Sequence, residues 1–215
     1  MIDQLNILVQ PPTVPDSANL VQRVEALIPF RRAVWPLFFA ENGALAIAFV
    51  LLAGLAMFLG ANAGESDSRR RLLVWTLGMA GILGAIAQVV LLGAVKATVD
   101  IPYCDCGFKN EEIVSQVWAQ MVAGSSVQML IDAASILAAA GVVVAGVVFG
   151  RGRMPTSWVS LSYLTGALLL LTVVLDWTAI GGDAASWFTA IVVGVVVPIW
   201  VLWLGAKAQG RPIVA

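Results

Sequence analysis

Long apolar stretches alternate with short polar segments along most of the chain. Since a transmembrane helix needs about 20 predominantly apolar residues, five stretches are long enough: 43–61, 72–95, 127–149, 158–177 and 187–206. Lipid offers no hydrogen-bonding partner, so each stretch has to satisfy its own backbone as an α-helix. The pattern therefore predicts an all-α, polytopic membrane protein, a five-transmembrane-helix bundle whose helices we number span one to span five.

The external arm 1–42, which precedes span one, carries a shorter amphipathic pattern. Apolar residues recur at helical spacing from Leu20 to Ile28, with polar residues on the opposite side. This spacing predicts a short interfacial helix over about 16–28. Pro29 is expected to end it, because proline disrupts a helix interior.

A second amphipathic stripe lies between spans two and three, in the outer segment 99–124. Its apolar side chains recur from Ile113 to Val122, and Gly124-Ser125-Ser126 follows. We favour a short interfacial helix that bends there into span three, because an apolar stripe facing water would be left exposed. The alternative is one long helix over 111–149.

Basic residues collect on one side of the predicted bundle. The loops after spans one and three, together with the tail 207–215, carry seven of them: Arg69, Arg70, Arg71, Arg151, Arg153, Lys207 and Arg211. The positive-inside rule places this side in the cytoplasm. We therefore predict a multi-pass protein of the plasma membrane with its N-terminus outside and its C-terminus cytoplasmic. Arg31 and Arg32, just before span one, argue against this orientation but are outnumbered.

The composition agrees with a membrane protein and removes several functional classes. Charged residues make up 12% of the chain, about half the usual quarter of a soluble domain. The net charge of −1 argues against nucleic-acid binding. Because the chain has no histidine, it cannot form a His-ligated haem or metal site or a Ser-His or Cys-His catalytic pair. We predict no cofactor, apart from bound lipid.

Catalytic motifs are missing as well. The sequence contains no P-loop, dinucleotide-binding glycine pattern, HExxH or nucleophile elbow. Asp, Glu, Lys and Cys remain as acids, bases or nucleophiles. A non-enzyme is therefore favoured, although an enzyme is not excluded.

Four ionisable side chains fall at a similar predicted depth near the outer ends of spans one to four: Glu41, Lys96, Asp132 and Asp176. Charges within spans are costly and usually face the bundle interior or a partner. One hypothesis is an outward-facing polar pocket in which Lys96 pairs with Asp132 or Asp176. The alternative, favoured for Glu41 and Lys96, is a set of interfacial side chains that snorkel to water. Deeper levels are essentially uncharged, with Gln88 the main polar exception, which disfavours a pump or secondary transporter.

Cys104 and Cys106 lie in the loop between spans two and three, on the predicted outer side. An external compartment permits disulfides, so a bond between the two is the first interpretation. A bond to another chain, or free thiols, is the second. Metal binding is the least favoured, since two thiolates without histidine form an incomplete tetrahedral set.

Small residues and tryptophans predict how the spans pack. Spans two and three are rich in Gly and Ala, which let helix backbones approach closely in lipid, and we expect them to form the central pair. Span five is expected at the periphery, with a kink at Pro198 because its ring crowds the carbonyl of Gly194. The eight tryptophans lie near predicted membrane edges and are interpreted as interfacial anchors.

An apolar helix that ends in Phe149-Gly-Arg-Gly-Arg-Met-Pro155 is followed by Trp158 and another apolar helix. Over about residues 125–180, this arrangement resembles uncharacterised bacterial multi-helix integral membrane proteins of unknown function. The resemblance implies a helical membrane fold and a bacterial origin, and it carries no activity. The Cys-x-Cys loop and the N-terminal arm are not part of that pattern.

Two functions from different classes fit these features. The first is a non-catalytic accessory or structural subunit of a larger membrane assembly, with other membrane subunits or further copies of itself as partners in the lipid bilayer. The absence of catalytic motifs, the glycine-rich spans and the long outer arm favour it. The alternative is a small-solute or lipid-binding permease or sensor that uses the outer charged pocket. A thiol redox role for Cys104 and Cys106 is a distant third.

Overall fold

The computed structural model describes residues 20–62, 67–99, 110–150, 154–178 and 182–208, which contain helices and turns and no strand. The helices are Leu20–Asn62, Asp67–Val99, Asn110–Phe149, Thr156–Thr178, Asp183–Ile191 and Val197–Ala208, with a π-helical turn at Val192–Val196. Five stretches within them are long and apolar enough to cross a membrane: Arg32–Ala61, Ser68–Ala97, Gly124–Phe149, Thr156–Thr178 and Ala184–Ala206. The all-α, five-span bundle is confirmed.

The first helix is longer than the sequence pattern predicted. Leu20–Asn62 runs through both Pro29 and Pro36, so the expectation that Pro29 ends a separate short helix is wrong. A proline removes one backbone hydrogen bond, whereas a helix end leaves four N–H or four C=O groups without an intrahelical partner. Continuing through the two prolines therefore leaves fewer backbone groups unsatisfied than stopping and restarting.

The third helix is also continuous. Asn110–Phe149 includes Gly124-Ser125-Ser126 without interruption, so the structure has the long-helix alternative rather than a separate helix over 99–124. Glycine and serine lower helix propensity by up to about 1 kcal/mol each, but neither removes a backbone donor as proline does. A glycine next to two serines is consequently too weak a signal to end a helix.

The chain divides into two compact units. The first comprises the described residues up to Ile47 together with Ala85–Leu130, and the second comprises Ala48–Gly84 together with the described residues from Ile131 onward. The main apolar core belongs to the second unit and receives side chains from all five spans: Ala56, Leu59, Leu73, Leu77, Val142, Ala145, Val148, Phe149, Trp158, Trp200 and Leu204. This core lies toward the ends of the spans that carry the arginine-rich loops.

Two glycines in the second unit lie where the backbone of another span is close. A Cβ atom added at Gly81 in span two would lie 2.5 Å from the carbonyl oxygen of Phe49 in span one. One added at Gly166 in span four would lie 3.0 Å from the carbonyl oxygen of Ala139 in span three. Both contacts involve backbone, which cannot move aside cheaply. The small residues thus allow the close backbone packing that stabilises helix pairs in lipid.

Burial differs strongly between the spans. Half of the most apolar window of span three is buried, against 39% in span four, 33% in span two and 17% in spans one and five. Span three is central and span five peripheral, as the sequence predicts. Span two contacts span three as expected, since Leu77 lies against Gly141, but span four is buried to a slightly greater extent than span two.

A π-helical turn lies just before Pro198, where the sequence predicts a kink; the kink itself stays a prediction. Val192–Val196 directly precedes the last helix segment, Val197–Ala208, in which Pro198 is the second residue. Proline crowds the carbonyl four residues earlier, here that of Gly194. A wider π turn relieves this crowding without breaking the span.

Candidate functional site

The structure places the four predicted pocket residues in different units and environments. Glu41 and Lys96 belong to the first unit, and Asp132 and Asp176 belong to the second. Asp132 is buried with 7% of its surface exposed, Glu41 is partly buried, and Lys96 and Asp176 are exposed. The pairing of Lys96 with an aspartate stays a prediction, as does a single pocket formed by all four.

Asp132 accepts a hydrogen bond that the sequence did not indicate. The indole Nε1 of Trp177 donates to its Oδ2 atom over 2.7 Å. This bond joins span three to span four, because Asp132 lies in Asn110–Phe149 and Trp177 in Thr156–Thr178. The carboxylate is nearly fully buried while the indole ring is 67% exposed. A buried acid is thus satisfied by a donor that reaches it from the surface of the bundle.

The register of spans three and four in the structure explains why Trp177 reaches Asp132. Gly146 in span three lies against Ser162 in span four, and the two spans are antiparallel neighbours joined by a short turn. Asp132 lies 14 residues before Gly146, and Trp177 lies 15 residues after Ser162. The two side chains are consequently at the same level of the hairpin. Interpreting Trp177 only as an interfacial anchor concealed its role as a donor.

Arg32 caps the C-terminus of the second helix, Asp67–Val99. Its Nε atom donates to the carbonyl oxygen of Val99 over 2.9 Å, and Val99 is the last residue of Asp67–Val99. Carbonyls at a helix C-terminus lack intrahelical donors and carry partial negative charge. Lys96 lies in the same last turn, so two cations complement this helix end. Arg32, which counts against the predicted orientation, therefore has a structural role within the first unit.

Two buried carboxamides lie deeper in the first unit. Asn42 is 3% exposed and Gln88 is 2% exposed. The side-chain Nδ2 of Asn42 donates to the carbonyl oxygen of Phe38 over 2.8 Å. The Oε1 atom of Gln88 has no hydrogen-bond partner among the described residues. A buried acceptor in this state costs about 1–3 kcal/mol, so its position calls for a donor.

Asn42 and Gln88 are at closely similar depths. Arg32 and Val99 are joined by a hydrogen bond and so mark one common level of the two helices. Asn42 is ten residues from Arg32 and Gln88 is eleven residues from Val99, which is about 15–17 Å along an α-helix. The sequence singled out Gln88 but not Asn42, which lies just before the predicted start of span one.

The second unit buries a tryptophan pair. The rings of Trp158 and Trp200 stack with centroids 5.6 Å apart and planes at 23°, and both residues are 0% exposed. Trp200 Nε1 donates to Ser162 Oγ over 2.7 Å, and Ser162 Oγ donates to the carbonyl oxygen of Trp158 over 3.0 Å. These two tryptophans are therefore core residues, and their interpretation as lipid-facing anchors is wrong. Both lie on helix faces that pack into the core, a property that their position near a predicted membrane edge does not reveal.

The described residues offer no ready metal site. Within them, no group of three or more His, Cys, Asp or Glu side chains is close enough to hold a metal ion. Cys104 and Cys106 lie outside the described residues. The disulfide and its alternatives accordingly stay predictions.

Comparison with known proteins gives no family. The chain matches no model of a known protein family, no curated protein and no solved structure. The resemblance of residues 125–180 to bacterial membrane proteins stays a prediction. Function has to be argued from the site itself.

Proposed function

We propose that this integral membrane protein is a non-catalytic accessory or structural subunit of a larger membrane assembly. The observation that carries the proposal is the hydrogen bond between Trp177 and Asp132. Asp132 is the deepest of the four candidate pocket residues, and it is used to join two spans. Its carboxylate serves the same purpose as Ser162, which connects spans four and five through Trp200. In the second unit, these two hydrogen bonds each join neighbouring helices.

The exposed faces of the outer spans support a partner-binding role. Span one has only 17% of its most apolar window buried, and its exposed face includes Ile47, Leu51 and Met57 at 63%, 67% and 71%. Gly54 lies on that face, and a Cβ added there would meet no described atom within 4 Å. Because small residues let helix backbones approach closely, Gly54 offers a second helix an approach point in the middle of this exposed apolar face of span one.

Co-purification tests this proposal. A tagged copy, expressed from its own locus and extracted in mild detergent, is examined by native mass spectrometry. We expect foreign membrane subunits in fixed stoichiometry with the chain. Recovery of the chain alone, or with lipid only, across several mild detergents would contradict the proposal.

Two matched variants locate the contact. Gly54→Leu in span one should leave the chain folded and reduce the recovered foreign subunits, because it fills the proposed approach site. Gly93→Leu in span two is the control, since Gly93 is also exposed and a Cβ there meets no described atom within 4 Å. Equal loss of partners in both variants would argue against span one as the docking face.

A solute-binding role is the second candidate, and one observation favours it. The buried Oε1 atom of Gln88 lacks a partner among the described residues, and Asn42 lies at nearly its level. Two carboxamides suit a small solute that donates a hydrogen bond, such as an alcohol or amine. Mass spectrometry of small molecules released from the denatured protein tests this. A stoichiometric solute that is lost in Gln88→Leu would favour a permease or sensor over a subunit.

A further inference from the structure

The second helix, Asp67–Val99, has one face that packs into the core and one that does not. Leu73, Leu77 and Ala80 are 0% exposed. On the other side, Leu72 is 51% and Trp75 is 65% exposed, and Ile82 and Ile86 continue the exposed face at 49% and 47%. In a membrane this second face is in contact with acyl chains.

Arg71 lies at the end of the lipid-facing side, whereas Arg70, three residues before Leu73, lies at the end of the side that packs into the core. Arg70 and Arg71 are both exposed. Arg71 is four residues before Trp75 and therefore on the same face, about one turn further out. Tryptophan settles at the membrane interface because its indole is apolar over most of its surface and polar at one edge. The guanidinium one turn beyond it consequently reaches the depth of lipid phosphates.

We propose that Arg71 and Trp75 form a binding site for the headgroup of an anionic phospholipid, with an acyl chain along Leu72 and Ile82, and that the exposed Arg70 adds a second positive charge at the same end of the helix. A guanidinium matches phosphate oxygens with two parallel N–H donors. Arg71 also interacts within the chain, but a guanidinium carries five N–H donors and so retains donors for a phosphate. The two exposed charges select an anionic lipid over a zwitterionic one, and the apolar stripe distinguishes a lipid from free phosphate.

The size of the expected preference for an anionic lipid follows from the number of positive charges. A basic residue near an anionic membrane surface contributes about 1 kcal/mol, which is about fivefold in affinity. Two arginines should therefore give phosphatidylglycerol a preference of roughly 25-fold over phosphatidylcholine with the same acyl chains. Replacing both should bring the two lipids close to parity.

The experiment uses the purified, delipidated full chain in detergent. An equimolar mixture of the two lipids is added, and native mass spectrometry counts the bound lipids. We expect phosphatidylglycerol to dominate in the wild type, and Arg70→Gln combined with Arg71→Gln to abolish the preference. Arg71→Lys should retain part of it, because the charge remains while the two-donor geometry is lost. Both positions are exposed, so the variants should fold, and far-ultraviolet circular dichroism checks this.

Three results would overturn the site. Equal binding of both lipids by the wild type would remove the charge argument, and an unchanged preference in the double variant would place the selection elsewhere. Displacement of phosphatidylglycerol by millimolar inorganic phosphate would identify free phosphate as the ligand. Trp75→Ala should weaken lipid retention, whereas Trp187→Ala, at a similarly exposed tryptophan of span five, should not. Equal effects of these two variants would contradict the role of Trp75.

Discussion

Replacing Trp177 with phenylalanine removes the indole donor of Asp132 and keeps an aromatic ring in place. The acceptor is 7% exposed and the donor ring is 67% exposed, so the two partners should respond unequally to losing each other. An indole at the surface can bond to water or to a headgroup. The carboxyl group of Asp132, inside the bundle, is left with one donor fewer.

The loss of stability expected in Trp177→Phe can be bounded from measurements on two classes of protein. A hydrogen bond to a charged group contributes about 1.5–3 kcal/mol to the stability of soluble proteins. Hydrogen bonds between membrane helices average about 0.6 kcal/mol and reach about 1.7. Because this acceptor is nearly buried and bonded at 2.7 Å, we expect Trp177→Phe to lower the free energy of unfolding by about 1.5 kcal/mol, which lies where these two ranges overlap.

A double-mutant cycle isolates the contribution of the Trp177–Asp132 hydrogen bond to the free energy of unfolding. Asp132→Ala removes the acceptor together with its buried charge, so Trp177→Phe should cost little more in that background. The coupling energy between the two positions should be about 1–1.5 kcal/mol. Reversible unfolding by sodium dodecyl sulfate in mixed micelles, followed by circular dichroism, gives the four free energies.

The control is a tryptophan of similar exposure. Trp187 lies near the start of span five and is 52% exposed, and Trp187→Phe reports what the loss of indole surface alone costs. Equal destabilisation by Trp177→Phe and Trp187→Phe, or additive losses in the cycle, would refute the structural role of the bond. A larger coupling of Asp132 with Lys96 than with Trp177 would instead restore the ion pair expected from the sequence.

Three further predictions concern packing and topology. Gly81→Leu should destabilise the chain by more than about 2 kcal/mol, because its added Cβ would lie 2.5 Å from a carbonyl oxygen, while Gly54→Leu should change stability by less than about 0.5 kcal/mol, which the same unfolding assay measures. Trp200→Phe should cost about 2–3 kcal/mol, since it removes both buried ring surface and a hydrogen bond, with thermal unfolding in detergent as the readout. A cysteine placed at Ser17 should react with an impermeant thiol reagent in intact cells and one placed at Ser68 should not; the reverse pattern would invert the predicted orientation.

Hydropathy was sufficient to predict the fold, because each apolar stretch is longer than a helix in the core of a soluble domain needs to be. The helix ends were less predictable. Pro29 and Gly124 lower the local stability of the helix, but the backbone hydrogen bonds on either side are enough to keep it continuous. The burial of Asp132 could be expected from its depth and from the small residues around it. Its partner could not, because position alone does not distinguish a lipid anchor such as Trp75 from a donor such as Trp177.

The same ambiguity applies to the core tryptophans. The sequence interprets Trp158, Trp200 and Trp75 alike as anchors near a membrane edge, yet Trp158 and Trp200 are fully buried while Trp75 is 65% exposed. Whether a tryptophan is buried or faces lipid depends on the side of the helix on which it lies. It also depends on whether a neighbouring span packs against that side. The apolar pattern of a membrane helix contains little of this information, since both its lipid-facing and its buried side are apolar.

Close packing in the second unit follows the order of synthesis. Each span contacts the one before it, through the pairs Phe49–Gly81, Leu77–Gly141, Gly146–Ser162 and Trp158–Trp200. The partners in these pairs are 16 to 64 residues apart along the chain. A ribosome that adds about 5–20 residues per second therefore delivers each contact within roughly 1–13 seconds of its first partner. The bundle can grow one helix at a time as the chain enters the membrane, and no span has to wait for the whole protein to be made before it finds a neighbour.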